Sequence, residues 1–407
     1  MAFCIWYVSK YVITPEPGDP AGRAYGLMRE FARLGYNSVL ITSDSMGKYN
    51  APPASQSYVI EQRDGITLCR ARTLKYGDSN TFRRVLSWFD FERKLFRLPK
   101  RALPEPDVVV VSSLSLLTVF NGLRLRRRYR CRLVFEVRDI WPLTMVEEGG
   151  YSARNPFVRI LGAIERLGYR SADAIVGTMP NLGQHVEKVT GSRLPVHCIP
   201  MGVDLEALSS SQPLPSEFAE SHVPSGKFIV GYAGSIGISN AMDVFFQCIE
   251  LMQDEDGIHF VVLGDGELRS SYVSRYGGLP NLTFVPRIPK SQVHDFLVRC
   301  DLLYLSVHKS EVWDYGLSLN KLIDYMLAAK PVIASYSGYP SMINEADCGV
   351  FVPAGDSSAL RQEFNAFAHF TEEDRIVIGA RGRDWLLKNR GYETLAQDFL
   401  KVLRVSD

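Results

Sequence analysis

No stretch of this chain stays apolar for the roughly 18–20 residues that a membrane-crossing helix requires, so any contact with a bilayer is expected to be peripheral. The apolar start, Met1–Ser9, lacks the basic flank, long apolar middle and small-residue cleavage site of a secretory signal. It reads as a first buried strand. Neither sign of charge is in excess: 46 Lys and Arg against 45 Asp and Glu leave a formal +1, and nothing global points to nucleic acid as a partner. The seven cysteines, Cys4, Cys69, Cys131, Cys198, Cys248, Cys300 and Cys348, are odd in number and scattered, without a Cys-x-x-Cys pair for zinc or redox chemistry. They read as buried thiols of a reducing cytoplasm. Sequence repeats and low-complexity segments are also missing.

What is present is a rhythm. Short β-branched or aromatic runs alternate with longer stretches of helical period across 407 residues, which predicts an α/β chain with two cores. Strands are expected near Phe3–Ser9, Asn37–Ser43, Asp107–Ser113, Arg132–Val137, Ala172–Thr178 and Val196–Ile199, with a hairpin around Asp64-Gly65. The rhythm restarts at Lys227–Gly234 and continues through Ile258–Gly264, Leu282–Val285, Leu302–Val307, Pro331–Ser335 and Gly349–Val352. Turn formers at 209–216 and 224–226 mark the connection between two Rossmann-like halves, with a boundary near residue 205. The tail reads as two helices broken at Gly391. The expected division is 1–205, 206–380 and a C-terminal helix segment, 381–407.

Four segments carry candidate chemistry. The loop Thr14–Arg23 follows the first strand and opens a helix near Ala21–Leu34. There Gly18, Gly22 and Arg23 would face a ligand, unless the segment is only a proline-rich turn. Its spacing is not the dinucleotide fingerprint G-x-G-x-x-G. In Phe135–Pro142, Arg138, Asp139 and Trp141 stand where a buried strand ends. Asp139 there would orient a hydroxyl and Trp141 would stack on a sugar ring, the alternative being a helix cap followed by a packed aromatic. Gly234 and Ser235, and one strand later Gly264, Asp265 and Gly266, form two glycine turns suited to a diphosphate, with Ser239 or Asn240 capping the next helix. Ser318, Asn320, Lys321 and Asp324 open a helix. A cation in a first helical turn is disfavoured by the helix dipole, so an anion bound there would explain Lys321. Asp324, one turn on, would accept ribose hydroxyls; the alternative is a solvated Lys–Asp pair.

These segments, together with Ile199–Asp204, resemble the retaining GT-B glycosyltransferases of family 4, especially bacterial N-acetyl-fucosaminyl transferases of O-antigen or capsule assembly. The resemblance spans nearly the whole chain. It implies two Rossmann-like domains facing a central cleft, with the C-terminal helix packed back on the first domain. It further implies a UDP-linked N-acetyl sugar held by the second domain, a lipid-linked saccharide acceptor held by the first, transfer with retention, and no metal. On that basis Asp139 and Lys321 are the candidate catalytic residues. The family's Arg and Lys after the second-domain glycine are replaced here by Ser235 and Asn240, and the first of its paired acids by Gly316.

Phe82–Arg101 holds seven Lys or Arg against two acids, interleaved with five aromatics, and Leu123–Arg132 holds six arginines. Such segments either favour an anionic inner-membrane surface, making the protein cytoplasmic and peripheral, or form a solvated helix face with core aromatics. Competing readings are a sugar-nucleotide epimerase of the same fold and a non-catalytic scaffold of a polysaccharide assembly complex.

Overall fold

A computed structural model describes residues 2–15, 21–45, 54–77, 82–208 and 211–404. It divides into two compact units, one reaching to Asp204 and resuming at Tyr392, the other spanning Leu205–Gly391. Among the described residues no helix is long and apolar enough to cross a membrane.

The first unit holds β1 (Cys4–Val8), β2 (Asn37–Ser43), β3 (Tyr58–Arg63), β4 (Ile66–Ala71), β5 (Val108–Ser112), β6 (Arg132–Val137), β7 (Ala174–Gly177) and β8 (Val196–Cys198). Their order is β3-β4-β2-β1-β5-β6-β7-β8. All neighbours are parallel except the β3–β4 hairpin. Its turn residues Asp64 (φ 51°) and Gly65 (φ 77°) are both left-handed, the conformation that matches strand twist and that Asp-Gly adopts readily. β1 and β5 are buried along their whole length, as central parallel strands covered on both faces must be. Six of the seven cysteines are buried, but Cys198 is exposed. It lies on β8, an edge strand.

The second unit holds β9 (Phe228–Ala233), β10 (Ile258–Leu263), β11 (Leu282–Val285), β12 (Leu302–Ser306), β13 (Val332–Ser335) and β14 (Gly349–Val352). All are parallel, in the order β11-β10-β9-β12-β13-β14. Sequential strands build outward from β9 on one side and from β12 on the other. Ligands of such sheets bind beyond the strand C-termini at that switch point.

The helix Glu372–Arg390 opens on a capping box formed by Thr371 and Asp374 and runs unbroken past residue 381, so the change of unit comes at Gly391 and not at 380. Tyr392–Leu403, the next helix, joins the first core. Tyr392, Leu395, Ala396 and Phe399 pack there beside Tyr25 and Phe31 of the helix Arg23–Arg33. Gly26 admits the Tyr392 ring, since a Cβ at 26 would stand 2.5 Å from it.

Candidate functional site

In the second unit the loops that follow β9 and β10 interlock backbone to backbone. Gly234 N donates to Leu263 O at 3.0 Å and Ile236 N to Asp265 O at 2.9 Å. A Cβ on Gly264 (φ 148°) would collide with Gly234 O, and one on Gly266 with Ile236 O. Only glycine fits this double turn. Ser235 and Asp265 are left exposed, Asp265 Oδ1 accepting from Gly266 N at 2.8 Å. Gly264→Ala is therefore expected to cost about 3 kcal/mol of stability, and an unchanged urea midpoint would contradict the interlock.

Lys321 reaches this turn from the first turn of the helix Asn320–Leu327. Its Nζ donates to Tyr232 OH at 2.7 Å and Asn240 Oδ1 at 2.9 Å, and lies 4.0 Å from the Tyr232 ring centroid. A Cβ on Gly234 would stand 2.6 Å from Lys321 Cε. Burial pushes the ammonium down to about 7, and among the described residues no carboxylate pairs with it. A half-buried, desolvated ammonium without a counter-charge is left to pair with whatever anion reaches it.

Side chains that the sequence reading did not single out hold this geometry. Tyr232 OH donates to Ser235 O at 2.5 Å. Tyr325 OH takes the Ala233 N–H at 3.0 Å. Ser306 Oγ donates to Asn240 O at 2.6 Å, and His308 Nε2 lies 2.6 Å from Ile238 O. The only sequence signal for the two tyrosines was a hydroxyl among apolar neighbours, which reads first as core. Neither Ser239 nor Asn240 caps the next helix. They lie in a short 3-10 turn, Ile238–Asn240, and the helix Asp243–Leu251 starts only after it, with Met242, which has no capping group, at its N-cap; Asn240 Oδ1 is instead engaged by Lys321. Ser318 is half-buried and Asn320 exposed. The half-buried Asp324 is paired through Oδ2 with Lys290 Nζ, so the sequence pairing of Asp324 with Lys321 gives way to a partner on another helix. Gly316 (φ 123°) closes the 3-10 turn Glu311–Tyr315, where a residue with a side chain would be strained.

In the first unit, Ser113 Oγ ties the ends of β5 and β6 together, accepting from Arg138 N at 3.0 Å and donating to Asp139 O at 3.1 Å. Asp139 is exposed, and Arg138 is half-buried with a buried Nε that has no hydrogen-bond partner among the described residues. Trp141 meets Trp88 edge-on at 5.6 Å, with the Arg84 guanidinium 5.6 Å from one ring and 5.7 Å from the other. Trp88 Nε1 donates to Tyr11 OH at 2.8 Å. Lys10 lies 4.4 Å from the Tyr11 ring centroid and donates to Ser45 O at 2.9 Å. Burial, helped by Arg84, pushes Lys10 down to about 7 against the pull of Asp44. Lys10, Tyr11, Arg84, Trp88 and Trp141 thus form one cationic, aromatic cluster.

Arg23 does not join them. It is 1% exposed, its NH2 is 3.0 Å from Glu136 Oε1 and its Nε 3.1 Å, and NH1 donates to Pro200 O. Glu136, from the middle of the fold, takes the guanidinium inward. Gly22 precedes the helix in extended conformation and donates to Ile13 O at 3.2 Å. Gly18 lies outside the described residues.

A model of the glycosyl transferase 4-like domain matches residues 20–202, and one of glycosyl transferases group 1 matches 227–369. The chain is a GT-B glycosyltransferase. Solved structures of similar fold cover nearly all of it. Sucrose-phosphate synthase from Thermosynechococcus elongatus matches with TM-score 0.73 at 15% identity, covering 98% of both chains. An E. coli trehalose-6-phosphate structure bound with UDP-2-fluoro glucose matches with TM-score 0.71 at 12% identity and 98% of both chains. HepE of Anabaena in complex with UDP-glucose matches with TM-score 0.64 at 14% identity, covering 98% of this chain and 99% of that one. No curated protein matches the sequence of this glycosyltransferase.

Proposed function

We propose that this glycosyltransferase transfers an N-acetyl sugar from UDP, with retention, to a lipid-linked saccharide in the assembly of a bacterial surface polysaccharide such as O-antigen or capsule. The observation that carries the donor assignment is the unpaired Lys321 ammonium against the glycine turn of Gly234, at the switch point of the second sheet. Complexes of UDP and UDP-glucose with a protein of similar fold support it.

Lys321 meets the diphosphate, and Ser318 and Asn320 lie beside it at the helix N-terminus. The turn after β9 lacks the Arg and Lys expected of the family, and Lys321 supplies charge there from another helix. Gly264, Asp265 and Gly266 support the same turn. Asp324, with Oδ2 held by Lys290, offers Oδ1 to a ribose hydroxyl. As the bond to the sugar breaks, negative charge grows on the departing diphosphate, and a preplaced ammonium stabilises it without reorganisation. In the first unit Asp139 receives the acceptor hydroxyl or sugar, beside Trp141 and Arg138.

The helix Phe82–Phe96 turns Trp88, Phe91 and Leu95 into the core and leaves Leu86, Phe89, Arg93 and Phe96 outside. Arg124 stacks on Phe96 at 3.7 Å, one turn from exposed Phe120. Exposed aromatics among arginines suit an anionic bilayer. Binding to phosphatidylglycerol vesicles is expected to fall as salt rises, and absent or salt-insensitive binding would remove this part of the reading.

Turnover tests the whole. Incubated with UDP-sugars and lipid-linked saccharides, the enzyme should release UDP in proportion to added acceptor. Release of an epimerised sugar without acceptor would make it an epimerase, and no chemistry with any donor a scaffold.

A further inference from the structure

The N-terminal edge of the first sheet carries a second concentration of charge, at the opposite ends of the strands from Ser113 and Asp139. An open hollow of about 880 Å³ is lined there by Arg126, Arg127, Arg130, Arg132, Arg170 and Asp173, among others. Arg132 begins β6 and Asp173 immediately precedes β7. The arginines converge from the end of the helix Thr118–Tyr129, from the strand it leads to, and from the helix Pro156–Ser171.

Five guanidinium groups face one carboxylate, and that carboxylate is spent. Asp173 Oδ1 accepts from Arg126 NH2 at 2.6 Å and Oδ2 from Leu133 N at 2.8 Å. Arg126 NH1 is held by Ser171 O at 2.7 Å and Arg170 NH2 by Thr190 O at 2.5 Å. Arg126 is thereby paired with Asp173, whereas Arg170 is fixed in place by a carbonyl that leaves its charge uncompensated. Arg132 Nε is buried with no hydrogen-bond partner among the described residues. Arg127 and Arg130 are exposed, with no acceptor for either side chain among the described residues.

Guanidinium forks match the geometry of phosphate oxygens and keep their charge at any physiological pH. A concave site of one sign also concentrates the field that draws a multivalent anion in. A carboxylate, with one charge and two oxygens, would leave most of these donors unmatched. We propose that this hollow is a binding site for a phosphate or diphosphate group, separate from the donor site and not dependent on the donor-site reading. The group belongs either to a free phosphorylated compound or to a lipid headgroup.

The probe is inorganic pyrophosphate, titrated calorimetrically at fixed ionic strength into wild type, R127E/R130E and K321A. R127E/R130E should lose about tenfold or more in affinity at one site, while K321A keeps that site. Because Arg130 has a left-handed backbone (φ 52°), R127Q/R130N serves as the milder variant, Asn tolerating that conformation. Wild-type affinity in both double variants, or no pyrophosphate binding by wild type, would overturn the proposal. Vesicles of equal phosphatidylglycerol and phosphatidylcholine separate the two sources. A parallel loss of vesicle binding in the double variants assigns the hollow to a headgroup, and unchanged vesicle binding assigns it to a free phosphate compound.

Discussion

Lys321→Ala is expected to lower kcat/KM for sugar transfer by about 10²–10³-fold, the scale of losing one preorganised charge at a site of developing negative charge, while the protein remains folded. The substitution removes a half-buried ammonium whose neighbours, Tyr232 OH and Asn240 Oδ1, are neutral, and Tyr232 keeps its bond to Ser235 O. The pH dependence has a definite sign. In the folded protein Lys321 titrates near 7, against about 10.4 in an unfolded chain. Between those values the unfolded state binds the extra proton, so this group's contribution to stability rises with pH across that window. Below pH 7 the full penalty of a desolvated cation is present. The difference in unfolding free energy between wild type and K321A should therefore move in favour of wild type from pH 7 to 9. Lys10 contributes with the same sign in both proteins and cancels. A bound diphosphate raises the Lys321 pKa, so wild-type affinity for UDP-glucose should fall as pH rises through 7, and that dependence should vanish in K321A. Full activity in K321A, or UDP-glucose affinity independent of pH in wild type, would remove Lys321 from the donor site.

Arg23→Ala is expected to lower stability by about 3–5 kcal/mol, because breaking a buried ion pair leaves a charge in the core without its counter-ion. Glu136 is fully buried and, among the described residues, would retain only the Tyr7 OH that already donates to it. The same guanidinium secures Pro200 O, while Asp204 accepts from Ala21 N and Arg29 NH2, both at 2.9 Å. The loss should appear in chemical denaturation as unfolding of the first unit. Replacing both partners, as in R23M/E136L, should recover much of it. A small effect of the single substitution would mean that the pair is open to water, and would restore Arg23 as a ligand-facing residue.

The reach of the sequence differs between these two residues and the strands around them. Central strands such as β5, with four consecutive valines, are legible because both faces are buried and the apolar run is contiguous in the chain. The Asp64-Gly65 turn and the break at Gly391 are equally local. The fates of charged and aromatic residues are not. Arg23 looks ligand-facing from its loop and is drawn inward by Glu136, 113 residues away. Lys321 is marked by its place in a first helical turn, but its lowered pKa comes from burial against Tyr232, 89 residues distant. In Phe82–Phe96, helical period groups the aromatics without saying which face the core takes.

The chain by itself thus determined the α/β class, the places of the strands along the sequence and the two glycine turns, since each is written in neighbouring residues, while the order of the strands within each sheet is set by pairing across the chain. Only the tertiary structure decided that Lys321, and not Arg23, is a cation without a counter-charge. Pairing and desolvation depend on elements brought together from distant parts of the chain.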